Sequence, residues 1–368
     1  MCGCLCCWAF IALSVKVLES GGSSTCFESP QRLVGAGNAT LERALALSCT
    51  GTRAFVGVPS ERRVLDYALN ASQLYELQAA IDGEEALFGA ALAFDEANSA
   101  LLVGAPGASL GAGAIVLYVD GNASDSLESL EGAGARFGLA VALVARVAAV
   151  GAPLAPDGGR VDLFELNVSG RLVARRVIEA PDGAEEFGAS VALSCDASRL
   201  FVGAPASSRV FEYNVSSLAL LRTLDSPLNH TLDHFGAALA LAKRGARYVS
   251  VGAPGARAVL SYTRGADDAL VLYDETFNDA LDDFGRALAL ECASPPRQLL
   301  VGSDGDGAAL YRLDSSSGLF LADSLSPRPS GFAVALARAG NINVVSNVTS
   351  SLAVANCTTR LNVDCPAC

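Results

Sequence analysis

The sequence predicts an all-β protein, a seven-bladed β-propeller built from four-stranded antiparallel blades. Three observations lead to this prediction. A cassette of similar residues returns about every 48 residues, seven times along the chain, and self-similarity at such a period is typical of repeat architectures. The apolar runs within it are short, rich in Val, Leu and Ala, and separated by Gly and Pro, which favours strands. None of them keeps a helical period over the length that a helix needs.

In five of the seven units the first strand begins at a Phe-Gly pair. In the clearest copies the pair opens a run of small apolar residues, such as FGAALAF and FGASVAL. Blades of a propeller converge on a central axis, so the innermost strand has room for Ala and Gly rather than for large side chains. The five clearest pairs are Phe88 and Gly89, Phe137 and Gly138, Phe187 and Gly188, Phe235 and Gly236, and Phe284 and Gly285.

The second strand follows and ends in Val-Gly-Ala-Pro or a variant of it. We expect it to be apolar on both faces because neighbouring blades cover it, and to end at its proline because proline cannot donate to a sheet ladder. A third run ends in an aromatic residue, as at Tyr118 and Tyr213, and the variable stretch before the next Phe-Gly, such as residues 74–81, supplies the fourth strand. The second-strand motif residues are Gly104, Pro106, Gly151, Pro153, Gly203, Pro205, Gly252, Pro254 and Gly302.

Both ends of the repeat region fit a closed ring. A weaker first unit begins near Leu41, and the last unit runs out after its third strand, near Ala355. The segment Gln31–Ala36 holds the phase of a fourth strand, so we predict that it completes the last sheet. The predicted domains are a signal peptide at residues 1–24, the propeller at residues 25–356 and a cysteine-containing tail at residues 357–368.

Phe-Gly followed by Val-Gly-Ala-Pro at this spacing resembles the FG-GAP repeat, the blade of the integrin α-subunit propeller and of many secreted proteins. The segment ALSCDASRLFVGAP at residues 192–205 is especially similar to the calcium-free, non-integrin members of that family. The resemblance covers residues 31–356. It implies a seven-bladed propeller whose usual work is extracellular recognition, including cell adhesion.

The resemblance does not extend to calcium binding. Many integrin-type blades carry an Asp-x-Asp-x-Asp-Gly loop between the first and second strands, where oxygen ligands wrap the ion. None of the matching loops supplies three spaced carboxylates, and Asp95 with Glu96 comes closest. Asp304 and Asp306 have calcium-like spacing but follow a second strand, where a tight solvated turn is the preferred interpretation. We therefore expect neither a metal at the family's position nor a cofactor.

Eight of the thirteen asparagines head an Asn-x-Ser/Thr sequon. Five of these follow the third strand of their unit, at an outer hairpin turn, where a bulky glycan finds room. Turns favour Asn and Ser anyway, but that preference does not explain why the triplet is completed in five units. We predict an N-glycosylated protein of the secretory pathway that is secreted. The sequon asparagines are Asn38, Asn70, Asn122, Asn167, Asn214, Asn229, Asn347 and Asn356.

The N-terminus agrees with this compartment. An apolar run at residues 4–15 has the length of a signal peptide and is too short to span a membrane. Small residues from Gly21 to Ser24 offer a cleavage region. The positive charge usual before the run is missing and Lys16 follows it, so palmitoylation of the leader cysteines is the alternative. Those cysteines are Cys2, Cys4, Cys6 and Cys7.

Seven further cysteines are disulfide candidates in an oxidising compartment, with one left over. Cys49, Cys195 and Cys292 share one phase on separate blades, too far apart to bridge one another, and they serve equally as small buried side chains. A bridge between Cys26 and Cys357 would lock the ring. The tail pairs either internally or with another chain. The seven are Cys26, Cys49, Cys195, Cys292, Cys357, Cys365 and Cys368.

The charge balance limits the partners. The chain has 26 Lys and Arg against 39 Asp and Glu, a net charge of −13, which argues against nucleic acid or an anionic membrane. Acidic pairs precede several Phe-Gly starts, at residues 84–85, 185–186 and 282–283. The preferred interpretation is that these pairs lie in solvated loops. The alternative is that they form a surface that binds a basic ligand.

No catalytic motif is apparent. His230 and His234 lie in a loop without a third metal ligand, and neither G-x-S-x-G nor H-E-x-x-H occurs. Paired carboxylates of a glycosidase carry no local motif, so an extracellular propeller hydrolase is the alternative. A lectin is another, weakened because the only Trp is Trp8, in the leader.

We predict a non-catalytic recognition or adhesion module for an extracellular protein or glycan. It binds through one face of the propeller, by the loops that follow the second strands. These loops are Gly107–Gly113, Leu154–Gly159, Ala206–Ser208, Gly255–Arg257 and Asp304–Gly307.

Overall fold

The computed structural model describes most of the chain between Gln31 and Asn356. The described residues are 31–33, 44–48, 50–72, 74–129, 132–228, 232–242, 246–290, 298–303, 308–314, 318–325, 332–339, 342–347 and 351–356. The predicted signal peptide and the cysteine-containing tail lie outside them.

The described strands form four-stranded antiparallel sheets, and six of these are made of consecutive strands. The first sheet consists of β2 (Leu45–Leu47), β3 (Arg53–Val58), β4 (Arg63–Leu69) and β5 (Tyr75–Asp82). The second consists of β6 (Ala91–Asp95), β7 (Ala100–Ala105), β8 (Ala114–Val119) and β9 (Asn122–Glu128). The third consists of β10 (Ala140–Val144), β11 (Val147–Ala152), β12 (Arg160–Leu166) and β13 (Leu172–Glu179). The next three are β14 (Ser190–Leu193), β15 (Arg199–Ala204), β16 (Arg209–Asn214) and β17 (Leu220–Asp225); β18 (Ala238–Ala242), β19 (Tyr248–Ala253), β20 (Ala258–Arg264) and β21 (Leu270–Phe277); and β22 (Ala287–Leu290), β23 (Gln298–Gly302), β24 (Ala308–Asp314) and β25 (Gly318–Leu325).

The remaining sheet joins the two ends of the repeat region. Its strands are β26 (Phe332–Ala339), β27 (Ile342–Asn347), β28 (Ser351–Asn356) and β1 (Gln31–Leu33). β1 pairs antiparallel with β28, with Gln31 opposite Val354 and Leu33 opposite Leu352. The N-terminal segment thus occupies the fourth-strand position that its phase in the sequence predicts.

The innermost strands touch one another in succession. β2 contacts β6, β6 contacts β10, and the series continues through β14, β18 and β22 to β26, which contacts β2. Sheets arranged radially in this way, with their first strands at the centre, are the architecture of a β-propeller. The predicted all-β propeller fold is confirmed.

The second strands form the core between sheets. All six residues of β7 are buried, as are five of the six in β3, β11, β15 and β19. Burial on both faces requires apolar or small residues throughout a strand, as the sequence predicts. Buried prolines follow the strands at positions 106, 153, 205 and 254. Short helical turns lie at Glu96–Asn98, Ala108–Gly111, Pro156–Gly158, Pro205–Ser207 and Pro254–Ala256.

The connections lie at two ends of the sheets. Because neighbouring strands are antiparallel, the loops from second to third strand share one end with the loops that enter the next sheet, and we call this end the upper face. The other end, with the first-to-second and third-to-fourth connections, is the lower face. Hydrogen bonds from Leu154 N to Ala135 O, at 3.2 Å, and from Gly255 N to Asp233 O, at 2.9 Å, join loops of the upper face.

Candidate functional site

The Phe-Gly pair and the second-strand glycine form the contact that stacks one sheet on the next. Gly138 N donates to the carbonyl of Gly151 in its own sheet at 3.0 Å. The carbonyl of Gly138 lies against Gly104 of the preceding sheet, where an added Cβ would be 2.0 Å away. Gly138 itself has φ of +86°, a conformation that favours glycine.

This arrangement recurs from sheet to sheet. A Cβ at Gly57, Gly151, Gly203 or Gly252 would lie 1.9 to 2.0 Å from the carbonyl oxygen of the Phe-Gly glycine in the next sheet. The phenylalanines of the five pairs are at most 2% exposed. Phe187 meets Phe211 edge-on at 5.5 Å between ring centroids. The motif residues therefore build the scaffold and are not themselves available to a ligand.

Four sequons lie on the lower face, at third-to-fourth hairpins of consecutive sheets. Asn70 and Asn167 follow β4 and β12, Asn214 ends β16, and Asn122 begins β9. The Oδ1 of Asn167 accepts hydrogen bonds from Ser169 N at 2.9 Å and Arg171 N at 3.0 Å, so the Asn also shapes its turn. The turn residues beside it are exposed, which leaves space for a glycan.

The remaining sequons divide between strand ends and residues outside the described ranges. Asn347 and Asn356 end β27 and β28. Asn38 and Asn229 lie outside the described residues. The location of Asn356 after a third strand repeats the pattern of the four hairpin sequons.

The first-to-second loops of the lower face close on themselves through short polar side chains. Asp95, the nearest approach to a calcium-type loop, is buried and accepts from Ala97 N at 3.1 Å, Asn98 Nδ2 at 2.7 Å and Arg146 N at 3.3 Å. Ser194 takes the corresponding position in another sheet, where its Oγ accepts from Arg199 N at 3.0 Å. N–H donors thus occupy both carboxylate oxygens of Asp95.

Few of the other predicted metal or redox residues fall within the described ranges. Asp304, Asp306 and His230 lie outside them, and His234 is an exposed loop residue. Of the seven cysteines after the leader, Cys195 alone is described, and it is half-buried. Within the described ranges, no cluster of three or more His, Cys, Asp or Glu side chains is placed to hold a metal ion. No helix in the same part of the chain is long and apolar enough to cross a membrane.

An ionic cluster links the sheets β14–β17 and β18–β21 near the lower face. Glu212 is fully buried and contacts Arg222 at 2.5 Å, Arg264 at 2.6 Å and Arg199 at 3.4 Å. The same arginines contact the half-exposed Asp268 at 3.1 to 3.5 Å. Partial burial alone would raise the pKa of Asp268, but attraction to Arg264, Arg199 and Arg222 outweighs it, and the pKa is lowered. A buried carboxylate needs such partners because desolvation of an isolated charge is costly.

Sequence reasoning missed this cluster, although a signal was present. Glu212 interrupts the apolar third strand VFEY, as Asp66 interrupts VLDY and Asp162 interrupts VDLF. Asp66 contacts Arg53, and Asp162 contacts Arg160 and Arg175. Buried tyrosines follow two of these acids, Tyr67 after Asp66 and Tyr213 after Glu212, and burial raises the pKa of Tyr213 to about 12. A charged residue inside a buried strand predicts a paired ion, and the pairing here is structural.

Several leucines outside the repeat motifs are exposed on the upper face. Leu87, Leu110 and Leu232 are exposed and have φ of 59°, 61° and 65°. Positive φ is a genuine outlier for a bulky residue. Leu87 occupies the position before Phe-Gly, where positive φ recurs at Arg136, Glu186, His234 and Asp283. Leu110 lies in the predicted loop Gly107–Gly113 and is 91% exposed.

The loops of the upper face are held in place by side-chain hydrogen bonds. The buried carboxylate of Asp233 accepts from Ser208 Oγ and Ser226 Oγ at 2.5 Å and from Phe235 N at 2.9 Å. Glu185 N donates to Ser207 Oγ at 3.3 Å. The Ser208–Asp233 bond joins one sheet's turn to the loop that enters the next sheet, and the Glu185–Ser207 bond joins an entering loop to the turn of its own sheet. The bonds of Asp233 to Ser226 and Phe235 lie within one entering loop, so these parts of the upper face are preorganised.

Comparison with known proteins establishes the fold alone. No protein-family model matches the sequence, and no curated protein matches it. Many solved structures share the fold. One is a chain from the crystal structure of the mitotic checkpoint complex, with a TM-score of 0.66 at 16% identity, over 95% of this chain and 100% of that one. The similarity supports a β-propeller fold.

Proposed function

We propose that the chain is a secreted, N-glycosylated recognition module of the FG-GAP type. Its seven sheets are the blades of one ring, closed by β1, and its upper face binds an extracellular protein or glycan without catalysis. One observation carries the proposal. The four hairpin sequons of consecutive sheets lie on the lower face, whereas preorganised loops with exposed leucines lie on the upper face.

The Phe-Gly geometry supports the FG-GAP assignment. The same glycine-to-glycine contact recurs between consecutive sheets, and it involves the two sequence pairs that define the resemblance. The innermost strands support a binding role over catalysis. Five of them read ALAFD, AVALV, SVAL, ALALA and ALAL, so these strands offer few of the polar groups that orient a substrate in a pocket.

Expression of the full chain in mammalian cells tests secretion and glycosylation. We expect the protein in the medium, with a mass that falls on treatment with an N-glycosidase. Asn167→Gln should remove one glycan from the mass, whereas Asn278→Gln, which removes an asparagine outside any sequon, should leave the mass of the glycans unchanged. Retention of an unglycosylated protein inside the cell would overturn this part of the proposal.

A glycan placed on the upper face tests the binding site. Ala206→Asn creates the sequon Asn-Ser-Ser in an upper-face turn, and the control Leu221→Asn creates Asn-Arg-Thr on the outer strand β17. The secreted variants are tested for binding to glycan arrays and to cell surfaces, with calcium and with a chelator, after a mass shift verifies the added glycan. We expect binding that survives chelation, is lost in Ala206→Asn and persists in Leu221→Asn. Equal binding by both variants would overturn the upper face as the site.

A further inference from the structure

We propose that one sector of the upper face binds a cationic polypeptide segment that carries apolar side chains. The inference rests on the proposed function and names the class of partner. The sector is formed by the loops of sheets β6–β9 and β10–β13 and by the loop that enters β14. We call Leu87, Leu110 and Leu154 the leucine patch, and the carboxylates around them the acidic border.

The loops of this sector touch one another in sequence. Leu87 Cγ lies 3.0 Å from the position of a Cβ added to Gly107. Arg136 N donates to Gly111 O at 2.8 Å, and Leu154 N donates to Ala135 O at 3.2 Å. The three leucines therefore stand on one continuous surface that spans two sheets.

The exposure of these leucines is energetically unfavourable, and at Leu110 the backbone is strained as well. Leu154 is 49% exposed and Leu110 is 91% exposed. Ser109 and Leu110 both have positive φ, at 48° and 61°, a conformation that is unfavourable for an L residue. Strained backbone that presents an apolar side chain to solvent is a feature of binding loops rather than of packing.

The acidic border gives the patch its charge. Glu128 accepts a hydrogen bond from Ser109 Oγ at 3.1 Å, which places a carboxylate beside Leu110. Asp157 lies in the same turn as Leu154. Phe187 N donates to Gly158 O at 2.9 Å, which places the loop that contains Glu185 and Glu186 beside this turn. The exposed or half-exposed carboxylates of the border are Glu84, Glu85, Glu128, Asp157, Asp182, Glu185 and Glu186.

Charge complementarity selects the occupant. Two exposed arginines lie in or beside these loops, Arg136 and Arg62, and Arg62 donates to Glu84 O at 3.2 Å. The border carries seven carboxylates, so acidic side chains predominate around the patch. A cationic segment with apolar side chains satisfies both the carboxylates and the leucines. A second copy of this chain, with its net charge of −13, would bring like charge to the same surface.

Synthetic peptides of equal length test the proposal with the full secreted protein. The probes are a Lys/Leu peptide, a Lys/Ser peptide and a Glu/Leu peptide, and their dissociation constants are measured by fluorescence polarisation. We expect the Lys/Leu peptide to bind about tenfold more tightly than either of the others, because it alone buries leucine and pairs charge. Equal binding of the Lys/Ser and Lys/Leu peptides would overturn the role of the leucine patch.

Matched variants locate the site. Leu110→Ser/Leu154→Ser should weaken the Lys/Leu complex about tenfold. The control Val168→Ser/Leu74→Ser removes side chains that are 91% and 46% exposed on the lower face, and it should leave the dissociation constant within about twofold. Glu185→Gln/Glu186→Gln should weaken binding and reduce its salt dependence, whereas Glu76→Gln/Glu275→Gln, on outer strands, should not. Equal losses in test and control variants would overturn the proposal.

The two proposals fail in different ways. If Ala206→Asn abolishes binding to cells or glycans while the leucine and carboxylate variants bind normally, the upper face is the site and the cationic partner is wrong. If the Lys/Leu peptide binds the sector but Ala206→Asn leaves cell and glycan binding intact, the partner chemistry is right for the sector and the proposed function is wrong. Loss of the Lys/Leu preference together with equal cell binding by Ala206→Asn and Leu221→Asn would overturn both.

Discussion

The second strands and the loops of the upper face use the same residue types in opposite ways. Leu102 and Leu200 are fully buried between sheets, and the nearby motif glycines leave no room for a Cβ. Leu110 stands in solvent with a backbone conformation that glycine would adopt at lower cost. The second strands repeat along the chain, whereas the loops at Gly107–Gly113 and Leu154–Gly159 depart from the short turns at Pro205–Ser207 and Pro254–Ala256. The repeat therefore specifies the stacking of the sheets, and departures from it change the exposed surface of the upper face.

The largest effect should follow loss of a phenylalanine from the stacked interior. Phe187→Ala removes a fully buried ring, and we expect the free energy of unfolding to fall by about 4 kcal/mol. Phe277→Ala is the control, because that ring is 51% exposed on an outer strand, and it should change stability by about 1 kcal/mol at most. Chemical denaturation of both variants measures the difference. Similar losses would contradict the division between interior and surface.

A motif glycine should be the next most sensitive position. A Cβ in Gly151→Ala would lie 1.9 Å from Gly188 O, so the sheets must separate, at a cost of about 3 kcal/mol. In Gly265→Ala the nearest atom is the flexible Asp267 Oδ1 at 2.6 Å, and we expect little change. If thermal denaturation shows Gly151→Ala to be as stable as Gly265→Ala, the glycine contact does not set the spacing of the sheets.

A substitution in the loop Gly107–Gly113 should raise the free energy of unfolding, whereas the two substitutions above lower it. Leu110→Gly relieves the positive φ and should raise the free energy of unfolding by about 1 kcal/mol, while it weakens binding of the Lys/Leu peptide. Leu154 has no positive φ, so Leu154→Gly should weaken binding without a gain in stability. A loss of stability in Leu110→Gly would show that Leu110 packs against the scaffold.

The smallest expected effect is on the pH dependence of the melting temperature. Because the pKa of Asp268 is lowered in the folded protein, its contribution to stability is present above the unfolded pKa of about 3.9 and is lost as pH falls through the lower folded value. Asp268→Asn should therefore narrow the difference in melting temperature between neutral and acidic pH. Asp267 accepts its hydrogen bond from Ala269 N rather than from an arginine, so Asp267→Asn should retain the wild-type profile. An unchanged profile in Asp268→Asn would contradict the assigned ion pairs.

Much of the scaffold could be predicted from sequence because its determinants are local and recur. The Phe-Gly and Val-Gly-Ala-Pro runs predict the first and second strands, and the phase of Gln31–Ala36 predicts the pairing of β1 with β28. Asn70, Asn122, Asn167 and Asn214 lie at or beside the hairpins from third to fourth strand. Their glycosylation and the compartment remain predictions.

The candidate site could be predicted only in part. The loop Gly107–Gly113 was expected to contribute to binding from its phase, but the exposure and positive φ of Leu110 depend on the fold of that one loop. Glu212 and Arg264 meet across two sheets, and no local motif records a contact between residues so far apart in sequence. Long-range pairing of this kind follows from the packing of sheets rather than from any one strand.

The pairing of β1 with β28 also governs when the molecule can be completed during synthesis. β1 leaves the ribosome first among the described strands, yet its partner β28 is the last of them. Until β28 emerges, β1 has no ladder, and the growing ring keeps an open strand edge that is prone to pairing with other chains. Closure of this long loop is thus the step at which a nascent chain becomes protected from aggregation.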